Sequence, residues 1–536
     1  MTMHFKNIII GSGPAGISAA SEILQNGKSV AILDVGNEIE EDKKNFVRDY
    51  LETQNISKFK QEVEKSKKKL PKYFDPNLKF PYGSDFVFNI AKNEKISHSH
   101  NSNTLSSNAK GGLSNIWGTL SSPFFKKDIE NWGISYEEFY RDKNKVEAII
   151  PISSSKDNLA KFFDTEIGKD HTFDISLASK EILKFLIKKE DDLNDEGFFF
   201  GRSKFAVSNK YSYNKVNCQK CGLCHYGCPY ECMFNAKNLL DSLIEKFSDK
   251  LNYKNNIFVK TFKKTNNFIY LETINTSTNE IEQYSCENLF IACGPILTAS
   301  LILRSKILKQ KEIKIKESQR FYFPAFYLGK SDNNLNELKN TLPELFFEIY
   351  NKKISPKSIH LQFYTFNDLM LKPFENFFGT FAKYLVKIFP FVFNRLTVIV
   401  GYIHSDHSSD IIIKNTGEGD ENNLLINTKI NNDSKHVVNN CVKFLKNIFS
   451  KKFIIIPQLV ALNLPGSSYH YGGSFPMSNS KKEDTSTSLN GELFVCKNVF
   501  ILDASVFPDI PGSPTTFNIA INSTRMIKNL VNEDRM

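Results

Sequence analysis

Residues 5–36 carry a pattern that few folds accommodate: the apolar run FKNIII, the turn GSGPAG, the run ISAASEILQNG with helical spacing, and SVAILDVG. A short, almost unbroken apolar run predicts a strand buried on both faces, as in a parallel sheet. Gly11, Gly13 and Gly16 fit G-x-G-x-x-G between strand and helix, with Pro14 and Ala15 opening the helix. The first glycine makes a tight turn, the second lets backbone approach a pyrophosphate, and the third lets helix pack closely on strand. Free N–H groups at the helix N-terminus favour the phosphates. Asp34 ends the second strand, where a carboxylate accepts hydrogen bonds from ribose hydroxyls. The glycines alone say little. In register with strand, helix and terminal acid they predict a Rossmann-type, dinucleotide-binding α/β domain.

The chain has 536 residues, 41% of them hydrophobic, enough for a large core and two or three domains. A net charge of +10 suits nucleic acid, anionic lipid or an acidic substrate. The lysines are spread along the chain, however, and the densest run, KSKKKLPK at 65–72, is short. A solvated surface is the reading, and no nucleic-acid partner is expected. The nearest approach to a membrane segment, FFGTFAKYLVKIFPFVF at 377–393, carries Lys383 and Lys387 and is broken by Pro390. It falls short of the roughly 18–20 apolar residues of a spanning helix. An aromatic-rich lid or core helix is expected there, with peripheral membrane contact the alternative. The first strand begins almost at residue 1, leaving no room for a signal peptide, so a cytoplasmic protein is expected.

Five of the nine cysteines fall in CQKCGLCHYGCPYEC: Cys218, Cys221, Cys224, Cys228 and Cys232. The scattered Cys286, Cys293, Cys441 and Cys496 read as buried thiols. In a reducing compartment a tight cluster points to metal rather than disulfides. The spacing C-x2-C-x2-C-x3-C-P is that of bacterial ferredoxins, and a [4Fe–4S] cluster suits its compact first three cysteines. There is one such run here, so Cys228 and Cys232 compete as the fourth ligand. Zinc, which usually draws on two separated pairs, and a metal-free thiol cluster remain open.

Along the rest of the chain, residues 37–75 read as exposed helix inserted after the second strand. NAKGGLSNIWGTLSSPF at 108–124 places Gly112, Ser114, Asn115, Trp117 and Gly118 in a segment suited to close backbone contact with a ligand. Residues 125–205 show mixed helical patterns. An amphipathic helix, a strand hairpin and the strand–turn–helix ENLFIACGPILTASLILRS follow the cysteines. Runs such as SIHLQFYTF and LTVIVGYIHSD within 320–465 predict an antiparallel sheet.

The order GSGPAG, AKGGLSNIWG, IACGPILTASLIL, SSYHYGGSFPM and FILDASVFPDIPGSPTTF resembles the glucose–methanol–choline (GMC) oxidoreductases, from residue 5 to the C-terminus. The cysteine run is similar to that of a subgroup of this family. The resemblance implies a discontinuous FAD-binding domain plus an α+β substrate domain with an antiparallel sheet. The expected boundaries are 1–125, 210–305 with the cysteine cluster, and 466–536 for the FAD domain, and 126–209 and 306–465 for the substrate domain. It also implies oxidation of an alcohol to a carbonyl, with hydride passing to flavin N5 and His470 as base, a role an imidazole can fill at neutral pH. Gly472 and Gly473 would let backbone pass the flavin ring. Asp503 would contact FAD or cap the following loop, and Pro514, Thr515 and Thr516 would meet the flavin by backbone. Where many relatives carry a second His or Asn, this chain has Ser513, with Asn518 further along. The implied substrate is a small polar or sugar-type alcohol, with His360, Gln362, His404 and Asp406 offered by the substrate sheet. Electrons would leave to a protein or quinone acceptor. A flavin/iron–sulfur reductase, or an electron-transfer flavoprotein without an alcohol substrate, is the alternative.

Overall fold

Five parallel strands of one sheet are drawn from three distant parts of the chain. The computed structural model describes residues 2–67, 78–99, 101–170, 173–208, 217–331, 341–367, 370, 379–417 and 423–536. Strand β1 (Met3–Ile10) pairs through Ile8–Ile10 with Ala31–Leu33 of β2 (Val30–Leu33) and through Asn7–Ile10 with Asn288–Ile291. Leu251–Lys254 flanks β2. The long strand Ile281–Ile291 divides its outer edge. Its end pairs in parallel with Val499–Ile501, and its beginning pairs antiparallel with Ile269–Asn275, which continues to Ile257–Lys264 as the expected hairpin. The paired ends of β1 and β2 are fully enclosed, as the apolar runs require.

Helix α1 (Pro14–Gln25) lies against the sheet and against the last helix, Thr516–Asn532. Gly16 sets that distance. A Cβ there would stand 2.1 Å from the Gly11 carbonyl oxygen and 3.3 Å from the Ala292 Cβ.

The strands expected between 320 and 465 exist, but they are divided between two sheets. The larger is antiparallel, in the order Phe453–Ile455, Arg320–Tyr327, Leu396–Ile403, Ile359–Thr365, Leu345–Ile349, Phe198–Arg202. The smaller joins Tyr471–Gly472, Glu312–Glu317, Asp410–Asn415, Leu424–Lys429 and Ile96–His98. Each takes a strand from outside the expected range, because alternation reveals a half-buried strand but not its partner. In the larger sheet Phe321, Phe323, Leu361, Phe363, Ile399 and Ile403 face a core shared with helix Asp433–Ile448. The opposite face sets Arg320, Tyr402, His360 and Glu348 in one register row across four strands.

The expected helix after β2 is present as Glu41–Thr53 and Ile56–Lys67. Most of the lysine run at 65–72, and the first two residues of 377–393, lie outside the described residues. No helix among the described residues is long and apolar enough to cross a membrane.

Gly16→Ala is expected to lower stability by about 1–3 kcal/mol through overpacking, read as a fall in the thermal unfolding midpoint. An unchanged midpoint would mean that the helix–turn approach is looser than described.

Candidate active site

The C-terminal ends of four parallel strands open on one cavity of about 400 Å³. Gly11–Ala15 follow β1, Asp34 follows β2, Ala292–Gly294 follow Ile291, and Asp503 follows Ile501. This is the crevice in which open α/β sheets bind their ligands. Gly13 faces open space, with nothing within 4 Å of a Cβ placed there. The first turn of α1 carries no acidic residue and its N-cap makes no side-chain hydrogen bond, so its N–H groups are suited to an anion. Gly16 does not line the cavity and acts through packing. Asp34 is buried and accepts from the Ser12 hydroxyl, and Ser12 Oγ accepts from Gly111 N at 2.9 Å. Burial pushes the Asp34 carboxyl up to about 7. One hydrogen-bond chain thus joins the first turn, the end of β2 and the second glycine segment.

In that segment Gly112, Ser114, Trp117 and Gly118 line the cavity, but Asn115 does not. Asn115 Nδ2 donates to the carbonyls of Lys110 and Gly112, and its Oδ1 accepts from Asn235. Its amide folds the loop, a use that a single sequence does not distinguish from ligand contact. Ser114 Oγ accepts from Ala236 N at the start of helix Ala236–Lys246, and Trp117 Nε1 donates to Phe234 O at 2.8 Å. These bonds fix the stretch that follows the cysteines to the cavity wall.

His470 enters the same cavity from the smaller sheet. Its N–H donates to Ser468 Oγ, its carbonyl accepts from Ser318 N, and its ring stacks on Tyr402 with centroids 4.7 Å apart. Ser468 in turn donates to the buried Glu317, which also accepts from Gly466 N at 2.9 Å. Nδ1 of His470 is buried and has no hydrogen-bond partner among the described residues. Burial, followed by the charges of His360 and Arg320, pushes its imidazole down to about 3. The ring is therefore neutral at any physiological pH.

Around it the register row supplies groups that sequence reading missed: Arg320 and Tyr402, with Tyr364 nearby on the same face. Arg320 bonds the Tyr402 hydroxyl and stands 5.8 Å from the centre of the Tyr469 ring. The signal is the alternating strand RFYFPAFY, which sets Arg320 on the face opposite Phe321 and Phe323. Of the four polar candidates in 360–406, only Gln362 lines the cavity. His360 is fully buried behind it, with Nδ1 2.7 Å from Glu348. His404 and Asp406 pair with each other instead.

The C-terminal loop brings Pro514, Thr515 and Thr516 to the cavity but not Ser513, which is wholly buried. Asn518 is tied to Ser122 O, Pro514 O and Tyr140 Oη. Neither occupies the place of a second catalytic residue, because the loop turns inward to seat Gly512 against the backbone of Tyr402 and His360. Gly472 and Gly473 abut the Ala504 and Phe507 backbone rather than the cavity. Asp503 lines the cavity while accepting from Gly294 N, Thr298 Oγ1 and Ser505 N, so it caps the loop as well. Glu94 and Arg304, an ion pair in the cavity wall, carried no sequence signal.

The five clustered cysteines ring a small apolar pocket beside this cavity, and Cys224, Met233 and Leu342 belong to the walls of both. Cys232 donates toward Cys228, which holds the Cys228 thiol low at about 6 and Cys232 high. Burial pushes Cys218 up to about 12 and Cys221 to about 11. Among the described residues no group of three or more His, Cys, Asp or Glu is disposed to hold a metal ion. The expected metal centre is thus not supported at this point: the thiols surround a space without converging on a single ion.

Residues 456–522 match the family described as GMC oxidoreductase. No curated protein matches the chain. The crystal structure of pyridoxine 4-oxidase from Mesorbium loti superposes with a TM-score of 0.60 at 11% identity, covering 99% of each chain. At that identity the likeness is one of fold. The family match is thus confined to the C-terminal segment bearing His470, while the fold is shared end to end with that oxidase.

Proposed function

We propose that this protein oxidises the hydroxyl of a polar, sugar-type alcohol to a carbonyl, with His470 taking the hydroxyl proton. As a GMC oxidoreductase it is an FAD-dependent enzyme acting on CH–OH donors. FAD supplies the hydride acceptor, N5 of its flavin, when bound. Gly11–Ala15 and the start of α1 suit the pyrophosphate, Asp34 a ribose, and the 112–118 and 514–516 backbones the flavin.

The observation that carries the reading is His470: a neutral imidazole in the cavity wall, within the segment that matches the GMC family. The ring stacks on Tyr402 in the cavity wall, beside Gln362, Tyr364 and Arg320, so a ligand seated there meets the imidazole. An alcohol is a far weaker acid than imidazolium, so the hydroxyl proton does not leave first. It moves as hydride departs from the carbon and the oxygen becomes that of a protonated carbonyl, a strong acid that even a depressed imidazole can deprotonate. Gln362, Tyr364, Tyr402 and Arg320 can bond the hydroxyls of a polar substrate beside this base. Ser513 has no part in this scheme, and the Arg320–Tyr402 pair takes over orientation of the substrate oxygen.

Four of the five clustered cysteines hold a [4Fe–4S] cluster on this reading, with Cys228 and Cys232 competing as fourth ligand. A four-iron cluster takes one thiolate per iron at separate corners, so its ligands ring a space rather than meet at a point. The cysteine spacing and the pocket lined by all five thiols support it. The wall shared through Cys224 favours one-electron exit toward a protein or quinone acceptor, and a reducing, cytoplasmic setting keeps the thiols free.

Anaerobic mixing of the FAD-loaded protein with sugar-type alcohols is expected to bleach the flavin. His470→Ala should slow that bleaching by a factor of order 10² to 10⁴. Because the imidazole is held near 3, the unprotonated form is already complete by about pH 5, and the bleaching rate should stay flat from there to pH 8. A rate that climbs through pH 6–7, or an unslowed His470→Ala protein, would remove the histidine from its role.

A further inference from the structure

The sheet face that begins at Arg320 and Tyr402 in the cavity ends, six residues along the strand, in an exposed apolar surface. Six residues of strand span roughly 20 Å. At that end Phe326 pairs with Leu396 on one side and Ile454 on the other. The segment before Leu396 folds as two short helices, Ala382–Ile388 and Pro390–Phe393. It is fastened to the strand end by Arg395, which donates to Gly329 O and Phe391 O and whose carbonyl accepts from Tyr327 N. Phe381, Tyr384, Ile388, Phe389 and Phe391 are 44–60% exposed there. Leu328, Ile454, Ile456 and Leu459 extend the surface along the sheet edge. Isolated exposed apolar side chains are ordinary, but a concentration of this kind marks an interaction site.

Charge selects the partner. Residues 320–330, 379–395 and 451–464, which build this edge, contain no Asp or Glu but carry Arg320, Lys330, Lys383, Lys387, Arg395, Lys451 and Lys452. Lys330, Lys387 and Lys451 are exposed. Glu181 of the neighbouring helix, whose charge reaches Lys330 and Lys452, is itself paired with Lys184. A two-fold dimer through this surface would set its basic edge against an identical one. Exposed Phe, Tyr and Ile rimmed by lysine suit the headgroup region of an anionic bilayer, where rings enter the acyl boundary and ammonium groups meet lipid phosphates.

We infer that this edge docks the protein on an anionic lipid surface. The inference stands independently of the proposed chemistry, since it uses neither cofactor nor substrate.

Co-sedimentation of the full-length protein with vesicles of phosphatidylcholine, alone or mixed with phosphatidylglycerol, tests it. Binding is expected to the mixed vesicles and to be weak to phosphatidylcholine alone. The pairs Phe389→Ser with Phe391→Ser, and Lys387→Glu with Lys451→Glu, should each cut the bound fraction about tenfold or more. Ile281→Ser, an exposed apolar residue on the other sheet, should leave it unchanged. Absence of binding to either vesicle overturns the inference, as does binding that both pairs leave intact. A change in the mass of either pair by light scattering without vesicles would assign the surface to a second copy instead, and overturn it equally.

Discussion

Everything in the candidate site hangs on how closely α1 approaches the ends of β1 and Ile281–Ile291. Gly16 permits an approach in which any Cβ would collide with the Gly11 carbonyl. That approach sets the turn, the turn presents Ser12 to Asp34 and to Gly111, and Gly111 fixes the segment that leads to Trp117. Trp117 in turn holds Phe234, two residues beyond Cys232. The close approach in one corner is thus linked, by hydrogen bonds between loops, to the wall shared by the two pockets.

The electrostatics of the cavity divide along its length. Its carboxylates, Asp34, Glu94 and Asp503, are each bonded within the protein, to Ser12, to Arg304, and to Gly294 with Thr298. Around His470 the fixed charge is that of Arg320, and Lys79 lines the wall near Cys224. Burial and this positive charge together keep the imidazole neutral. Protein dipoles and charges set in advance cost no reorganisation when the reaction occurs.

The sequence revealed what depends on local pattern. The glycine turn, Asp34, the hairpin and the strand–turn–helix at 281–304 are encoded within a few residues of where they act. What it concealed depends on partners. Asn115 and Asn518 carry amides that a ligand could use, yet their loops use them first. Gly472 was read as facing a cofactor, but its bare Cα faces Ala504. Arg320 and Tyr402 belong to strands far apart in sequence, and only the register that pairs them makes one row. His360 illustrates the converse: a polar residue in a strand pattern, offered as one of four pocket candidates, is instead buried against Glu348.

The central claim is that two pockets sharing Cys224 work together, one for an FAD-dependent oxidation and one for the electrons it releases. Iron and acid-labile sulfide, measured per flavin on anaerobically purified protein alongside its visible spectrum, test this most directly. About four of each per flavin, with broad absorption beneath the flavin bands, is the predicted result. Flavin accompanied by zinc, or by no metal, would contradict it and leave the cysteines as a structural feature of the cavity wall.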